Sequence, residues 1–307
     1  MLLTALSASP ASASAPFARG QAPGWYRVSL GDFEVTALLD GTMALPMEQF
    51  LTGATPAKIL AALARAYLTP PFETSFNCYL INTGTKLVLI DTGTGGLLGP
   101  TVGKLVANLK ASGYQPEQID EIYLTHMHTD HVGGVAANGK RVFPNAVVRA
   151  AKAEGEQWLS QDNLDKASAE DKEAYAAVRN AVTPYVATGT YQPFEGKTEL
   201  IPGVTAVPAV GHTEGHTLYL VESKGQKLML WGDLMHVAAV QFPSPWVTIL
   251  ADTDSKRAAA ARKKAFAEAA KQGYLVGVSH ISFPGLGRLR ADGRGYRWVP
   301  VNYTANP

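Results

Sequence analysis

Residues 124–134 read LTHMHTDHVGG. Three histidines and an aspartate fall between positions 126 and 131, in a chain with seven histidines in all. Just upstream, IDEIYL (119–124) has the look of a short buried strand that runs straight into this cluster. Where a strand runs out into a loop, residues i and i+2 point the same way. His126 and His128 are therefore placed to grip one cation from one side. Asp130 and His131 follow once the backbone has turned, so they face a second point. One loop thus offers ligands for two adjacent cations. Two ions about 3.5–4 Å apart form a clamp that binds and activates a water between them.

Two ions need more than four ligands, and the chain offers them in the same kind of place. His212 follows VTAVPAV (204–210), Asp233 ends KLMLWGD (227–233), and His280 ends LVGVSH (275–280). The C-terminal ends of strands are where α/β folds gather their chemistry. A lone histidine after a strand is more often structural than a ligand, and His216 and His236 are read against that background. HxHxDH with three further strand-end candidates points instead to a metal site. A structural zinc would want a closed tetrahedron, usually rich in cysteine, and this chain has one cysteine, Cys78. The site reads as catalytic. Cys78, in an apolar run, reads as a small core residue.

The 307 residues are 46% hydrophobic and 17% charged, enough for a sizeable core, and the net charge is +1. No basic cluster is denser than RKK at 262–264, which argues against nucleic acid or an anionic membrane as partner. That run sits in a helical pattern and reads as its solvated face. No apolar stretch reaches the roughly 18–20 residues that span a bilayer. Residues 1–22 are expected to be a disordered tail or the remnant of an export signal. The second reading would place the protein in the periplasm or outside the cell, and the first in the cytoplasm. WYRVSLGDFEVTALLDG (25–41) predicts two strands around Gly31-Asp32, and TSFNCYLINTGTKLVLIDTG (74–93) repeats that signal. Helical spacing is seen over 101–112, 151–187 and about 254–272, the last bracketed by Asp254 and Gly273. Strand signals return in TLYLVES (217–223) and YRWVPVNY (296–303). Sheets and helices interleave, so the class is α/β with mixed sheets.

LTHMHTDHVGG, LIDTG, GHTEGHT, WGD and the late His280 resemble the metallo-β-lactamase superfamily. Over roughly residues 24 to 303 the chain is similar to methyl parathion hydrolase and its lactonase relatives, in stretches such as GYQPEQIDEIYLTHMHTDHVGG, WLSQDNLDKA and YRWVPVNY. The resemblance implies a four-layer αββα sandwich over residues 23–307 as a single catalytic domain. It implies two divalent metal ions, zinc above all, though such sites accept others. His126, His128 and His212 would hold one ion, Asp130, His131 and His280 the other, and Asp233 would bridge them. Asp91, in LIDTG, matches an aspartate that steadies the metal loop, and His216 matches a structural position. The pocket implied by the resemblance includes Leu98, Trp158, Tyr175, His236 and Ile249. Leu98, His236 and Ile249 depart from the phosphotriesterase pattern, and the segment between Trp158 and His212 is one residue shorter. These departures lean toward the lactonases. The resemblance also implies a homodimer.

The expected nucleophile is a hydroxide bridging the two metals, with Asp130 or Asp233 as a transient proton holder. The expected reaction is hydrolysis of lactones and aryl esters of the dihydrocoumarin type, with phosphotriester hydrolysis as a side activity. The alternative is a dedicated organophosphorus hydrolase. A nuclease of this fold would want a basic surface, and a thioesterase of the glyoxalase type would carry a helical C-terminus. A binding protein without chemistry has no use for seven intact ligands.

Overall fold

Strands Trp25–Leu30 and Phe33–Leu45 pair antiparallel with Leu30 opposite Phe33, so Gly31 and Asp32 alone make the turn. Gly31 takes φ 60°, a backbone state glycine enters without penalty. The computed structural model describes residues 15–305. The export-signal reading thus falls in large part on residues outside those described, and residues 15–22 are exposed and belong to no strand or helix.

The hairpin opens a six-stranded sheet that continues through Phe72–Asn82, Leu87–Ile90, Glu121–Tyr123 and Val147–Arg149. A second sheet of seven strands holds Thr198–Ile201, Val204–Pro208, Thr217–Ser223, Gln226–Leu230, Leu275–Gly277, Leu286–Asp292 and Gly295–Pro300 in spatial order. Alternation along the strands decides what each face meets. In Phe72–Asn82, Tyr79 and Ile81 pack between the sheets against Tyr219, Val221 and Leu228. Cys78 and Leu80 face the other way, onto helices Leu105–Ala111 and Ala169–Val186. In the second sheet Leu228 and Leu230 face inward, while Met229 and Val276 meet Ala265, Phe266 and Ala269 of helix Ser255–Gln272. The layers run helix, sheet, sheet, helix, as the αββα expectation requires.

Strands Leu87–Ile90, Glu121–Tyr123 and Val147–Arg149 run parallel, and so do Gln226–Leu230 and Leu275–Gly277. Parallel neighbours release their following loops at the same end of a sheet. The loops carrying Asp91, His126, Asp233 and His280 are released in this way.

Three segments differ from their sequence reading. The helix expected over 101–112 begins only at Leu105. Asp40 holds the preceding loop by accepting from Thr94 N–H (3.0 Å), Thr94 Oγ1 (2.9 Å), Gly103 N–H (2.9 Å) and Leu105 N–H (3.1 Å). The span 151–187 is three helices, and Ser160 and Ser168 cap the second and third. Arg262 overturns the reading of RKK as a solvated face: it is fully buried, while Lys263 and Lys264 are exposed. Its guanidinium has partners inside the protein, since the carbonyls of Leu234 and Val247 accept from it.

The sequence reading passed over residues 47–65. Helices Met47–Phe50 and Pro56–Arg65 fold there, and Leu51–Thr52 pairs with Thr248–Ile249. Met47, Leu51, Ile59 and Leu63 close with Val237, Val240, Val247 and Ile249 into a small hydrophobic cluster of their own. No helix among the described residues is long and apolar enough to cross a membrane.

Gly134 ends the histidine loop in close contact with the chain that carries Asp91. Its N–H meets the Gly93 carbonyl at 3.1 Å, and a Cβ there would run into the Thr92 carbonyl oxygen. Gly134→Ala should destabilise the fold by about 1–3 kcal/mol, the usual cost of overpacking. An unchanged urea midpoint would show that the two segments are free to part.

Candidate metal centre

His128 is extended (φ −66°, ψ 153°) and serves as the N-terminal boundary of a single helical turn, Thr129–Val132. His126 and His128 therefore leave the strand on the same side, while Met127 between them is buried in the core. The helical turn then swings Asp130 and His131 to a different point. Six residues thus supply two directions of approach.

The other three candidates, His212, Asp233 and His280, arrive at the same place. His126 Nε2, His128 Nδ1, His212 Nε2 and Asp233 Oδ2 form one group, with His128 Nδ1 at 2.9 Å from His126 and 3.1 Å from His212. Asp130, His131, Asp233 and His280 form a second, in which Asp233 Oδ1 lies 3.0 Å from both His131 Nε2 and His280 Nε2. In each group the ligand atoms lie within 4.8 Å of one another. His131 Nε2 and Asp233 Oδ1 are buried and make no hydrogen bond despite their short separation. They converge on a third point rather than on each other. Donors of this kind and spacing fit two divalent ions that share Asp233, and an imidazole and carboxylate set suits zinc.

Electrostatics show the same demand for positive charge. Burial disfavours the charged form of His212, but its bonds to Asp233 and Asp252 outweigh this and place its pKa at about 8. His280 is likewise desolvated, yet Asp233 and Asp130 draw it up to about 10. Burial pushes the Asp130 carboxyl up, and His131 and His280 reverse that and hold it well below the usual range. Two carboxylates in this pocket hold protons on imidazoles, and metal ions compete for the same lone pairs.

Partners behind the ligands fix their orientation. Asp91 accepts from Thr125 N–H and Oγ1 (both 2.8 Å) and meets His131 Nδ1 at 2.8 Å, so His131 presents Nε2 inward. It does this from φ 59°, a left-handed state uncommon for a residue with a side chain and often found at functional sites. His216 is no member of either group. Its Nε2 accepts from the Asp233 N–H at 3.1 Å, and its Nδ1 lies 3.2 Å from the Ala209 carbonyl. Burial pushes its pKa down to about 3, consistent with a neutral ring in that role. His236 touches Asp233 Oδ2 at 3.0 Å.

Two carboxylates escaped the sequence reading. Asp252 meets His212 Nδ1 at 2.8 Å. Glu154, buried in helix Lys152–Trp158, accepts from Met127 N–H (2.8 Å), Gly215 N–H (2.9 Å) and the Thr213 hydroxyl, joining the HxHxDH loop to the GHTEGH loop. Both stand in charged stretches, KAEGEQ and LADTDSKR, where an acidic residue reads as surface.

A cavity of about 250 Å³ opens over the two groups. His236 and Ile249 line it, as expected, with Leu45, Met47, Phe50, Thr74 and Phe76 completing its walls. Those five come from residues around the 47–65 segment and from the strand that starts at Phe72. Trp158 does not line this cavity. Its ring stands edge-on to His128 at 5.8 Å, with Tyr175 behind it at 4.8 Å. Leu98 is 38% exposed and stands outside the lining residues. No lysine or arginine is among them.

Residues 74–280 match the profile of the metallo-beta-lactamase superfamily. The chain belongs to this superfamily. Within it, the solved hydrolase AbOPH is similar over 93% of this chain and all of its own, with 36% identity and a TM-score of 0.88. The dizinc quorum-quenching lactonase AidC, solved with a product, matches over 92% of this chain and 98% of its own, at 28% identity and a TM-score of 0.83. An N-acyl homoserine lactonase of Bacillus sp is 30% identical over 166 residues, which is 48% of this chain and 58% of that protein. The chain thus spans a little over half the length of the curated relatives it matches.

Glu154 offers a direct check on the loop junction. All three partners donate to it, so Glu154→Gln must turn an amide N–H₂ toward at least one buried N–H. The expected cost is about 1–3 kcal/mol, read as a lower unfolding midpoint. A Gln variant as stable as the parent would mean that the two loops hold together without this carboxylate.

Proposed function

We propose that the protein is a dinuclear metal-dependent hydrolase that opens lactones and cleaves aryl esters, with phosphotriester hydrolysis as a side activity. The observation that carries this reading is the pair of ligand groups sharing Asp233 at the floor of an apolar cavity lined by no lysine or arginine. A β-lactam or a nucleic acid brings an anionic group that would find no lysine or arginine in this lining. A neutral lactone or ester needs none. Relatives named as N-acyl homoserine lactonases, and AidC with its acyl-homoserine product, support the lactone side of the reading. AbOPH supports hydrolase chemistry on this scaffold at the highest identity among these.

Ions held by these donors, zinc above all, would lower the pKa of bound water to about 7 and polarise the scissile carbonyl. The chain's own residues do the rest. His126, His128 and His212 would hold one ion and Asp130, His131 and His280 the other, with Asp233 common to both groups. Asp130 is 18% exposed, more than any other ligand with an ion pair here, and lies 3.3 Å from both His131 and His280. It is the carboxylate placed to take the proton of the attacking water and return it to the departing alkoxide or phenolate. Met47, Phe50, Phe76 and Ile249 bind the apolar part of the substrate, whether acyl chain or aromatic ring, and keep water out. Trp158 acts through His128, against whose ring it packs.

Ring opening converts a neutral substrate into a carboxylate. A lining without fixed cations outside the metal site gives that anion little to hold it there. His236 and Ile249 line the cavity, and on this reading they limit its width, which would suit a planar carbonyl better than a tetrahedral phosphorus with two alkoxy arms. This favours the lactonase reading over that of a dedicated phosphotriesterase of the methyl parathion hydrolase kind.

The metal-loaded protein should turn over dihydrocoumarin with a kcat/KM at least about tenfold above that for methyl parathion, a gap of about 1.4 kcal/mol in activation free energy. Chelation should remove both activities. Equal or reversed rates would make the phosphotriesterase reading the better one. His236→Leu and Ile249→Ala should each raise triester turnover at unchanged metal content. If both leave it where it was, neither residue sets the width of the pocket.

A further inference from the structure

Each half of the centre contains one histidine backed by a buried carboxylate. In one half it is His131, whose Nδ1 meets Asp91 Oδ2 at 2.8 Å. In the other it is His212, whose Nδ1 meets Asp252 Oδ1 at the same distance. Asp91 is otherwise held by the neutral N–H and O–H of Thr125. Asp252 has a different setting. Its second oxygen accepts from Ile249 N–H at 3.1 Å and lies 3.8 Å from the guanidinium of Arg262.

Arg262 has no exposed surface, an expensive place for a guanidinium unless several partners meet it. Its Nε donates to the Leu234 carbonyl at 2.6 Å, one residue beyond Asp233, and its Nη1 to the Val247 carbonyl. Gln241 donates to that same Val247 carbonyl at 3.1 Å and accepts from His236 N–H at 2.7 Å. One buried cation on helix Ser255–Gln272 therefore ties together the turn that carries Asp233, the pocket wall at Ile249 and the carboxylate behind His212.

We propose that Asp252, anchored by Arg262, is the positioning residue for the ion gripped by His126, His128 and His212, and sets how firmly that half keeps its metal. This rests on reading the two ligand groups as a dinuclear centre. Accepting the Nδ1–H fixes the His212 tautomer, aims Nε2 inward and raises its basicity. Partners of this kind are worth about 10–100-fold in metal affinity. Because Asp91 serves His131 alone, loss of Asp252 should be felt by one ion and not the other.

The test is metal retention, not turnover. The holoprotein loaded with Zn²⁺ is challenged with a chelator and the release of each ion is followed. The Co²⁺-loaded form gives a ligand-field spectrum for each half. Asp252→Asn removes the charge and keeps the side chain's size but turns its amide N–H₂ toward a former donor, so its unfolding midpoint is read beside the parent's and retention is compared where both are folded. It should release one ion at least about tenfold more readily and the other at the parental rate. Asp252→Glu should restore part of the retention. The one-metal Co²⁺ spectrum left in Asp252→Asn should match that of His212→Ala and differ from that of Asp91→Asn. Parental retention of both ions in Asp252→Asn, or equal loosening of both, overturns the proposal. A parent protein that binds fewer than two ions overturns the dinuclear reading instead.

Discussion

Asp233 carries a carboxylate at 3% exposure, against five imidazoles: His131, His236 and His280 at 3.0 Å, His212 at 3.3 Å and His126 at 3.8 Å. Taking such a charge out of water costs several kcal/mol unless positive charge meets it there. Burial pushes this carboxyl up, and His131, His280 and His236 hold it far below the ordinary range all the same. The rest of the site follows from that one placement. Histidines must converge on Asp233, and their rings must be turned the right way. Asp91, Asp252, the Thr125 hydroxyl and the Ser75 carbonyl each take the far nitrogen of one of them. The loops that bring the histidines must also be joined, and Glu154 and the Asp233–His216 contact join them.

The gathering of the candidate ligands into two groups was legible because their signal is local. HxHxDH sits where a strand gives way to one turn of helix, and the alternation of strand and helix fixes where its side chains go. His212, Asp233 and His280 were legible from strand ends alone. The strand and helix patterns gave only α/β with mixed sheets, and the αββα layering came from the resemblance; in the structure, alternation in strands such as Phe72–Asn82 sends neighbours to different cores. Asp252, Glu154 and Arg262 were not, because their roles come from tertiary contacts. Arg262 lies 10 residues from Asp252 in sequence and 28 from Leu234, whose carbonyl it meets. Within the sequence it stands in a run of lysines on a helix, and nothing local marks it as the residue that turns inward. The pocket walls were half legible. Resemblance placed His236 and Ile249 there, but Met47 and Phe50 come from a segment whose short helices carry no strong periodic signal.

The site divides by kind of interaction. Its floor is polar, charged and fixed by paired hydrogen bonds, each of which depends on distance and angle. Its walls are apolar, and apolar contact tolerates exchange among side chains of similar volume. The superfamily match, residues 74–280, takes in every ligand of the floor, while Leu45, Met47 and Phe50 lie ahead of it.

The small cluster formed by Met47, Leu51, Ile59 and Leu63 with the 237–249 stretch has a consequence of its own. It is a satellite core, distinct from the one between the sheets, and two of its members, Met47 and Ile249, line the cavity. A substitution at Met47, Leu51, Ile59 or Leu63 falls on side chains of this cluster and on none that holds a ligand. Preference for one substrate over another can therefore drift through this annex while the chemistry stands still. Evolution has, in effect, a replaceable door on a fixed hearth.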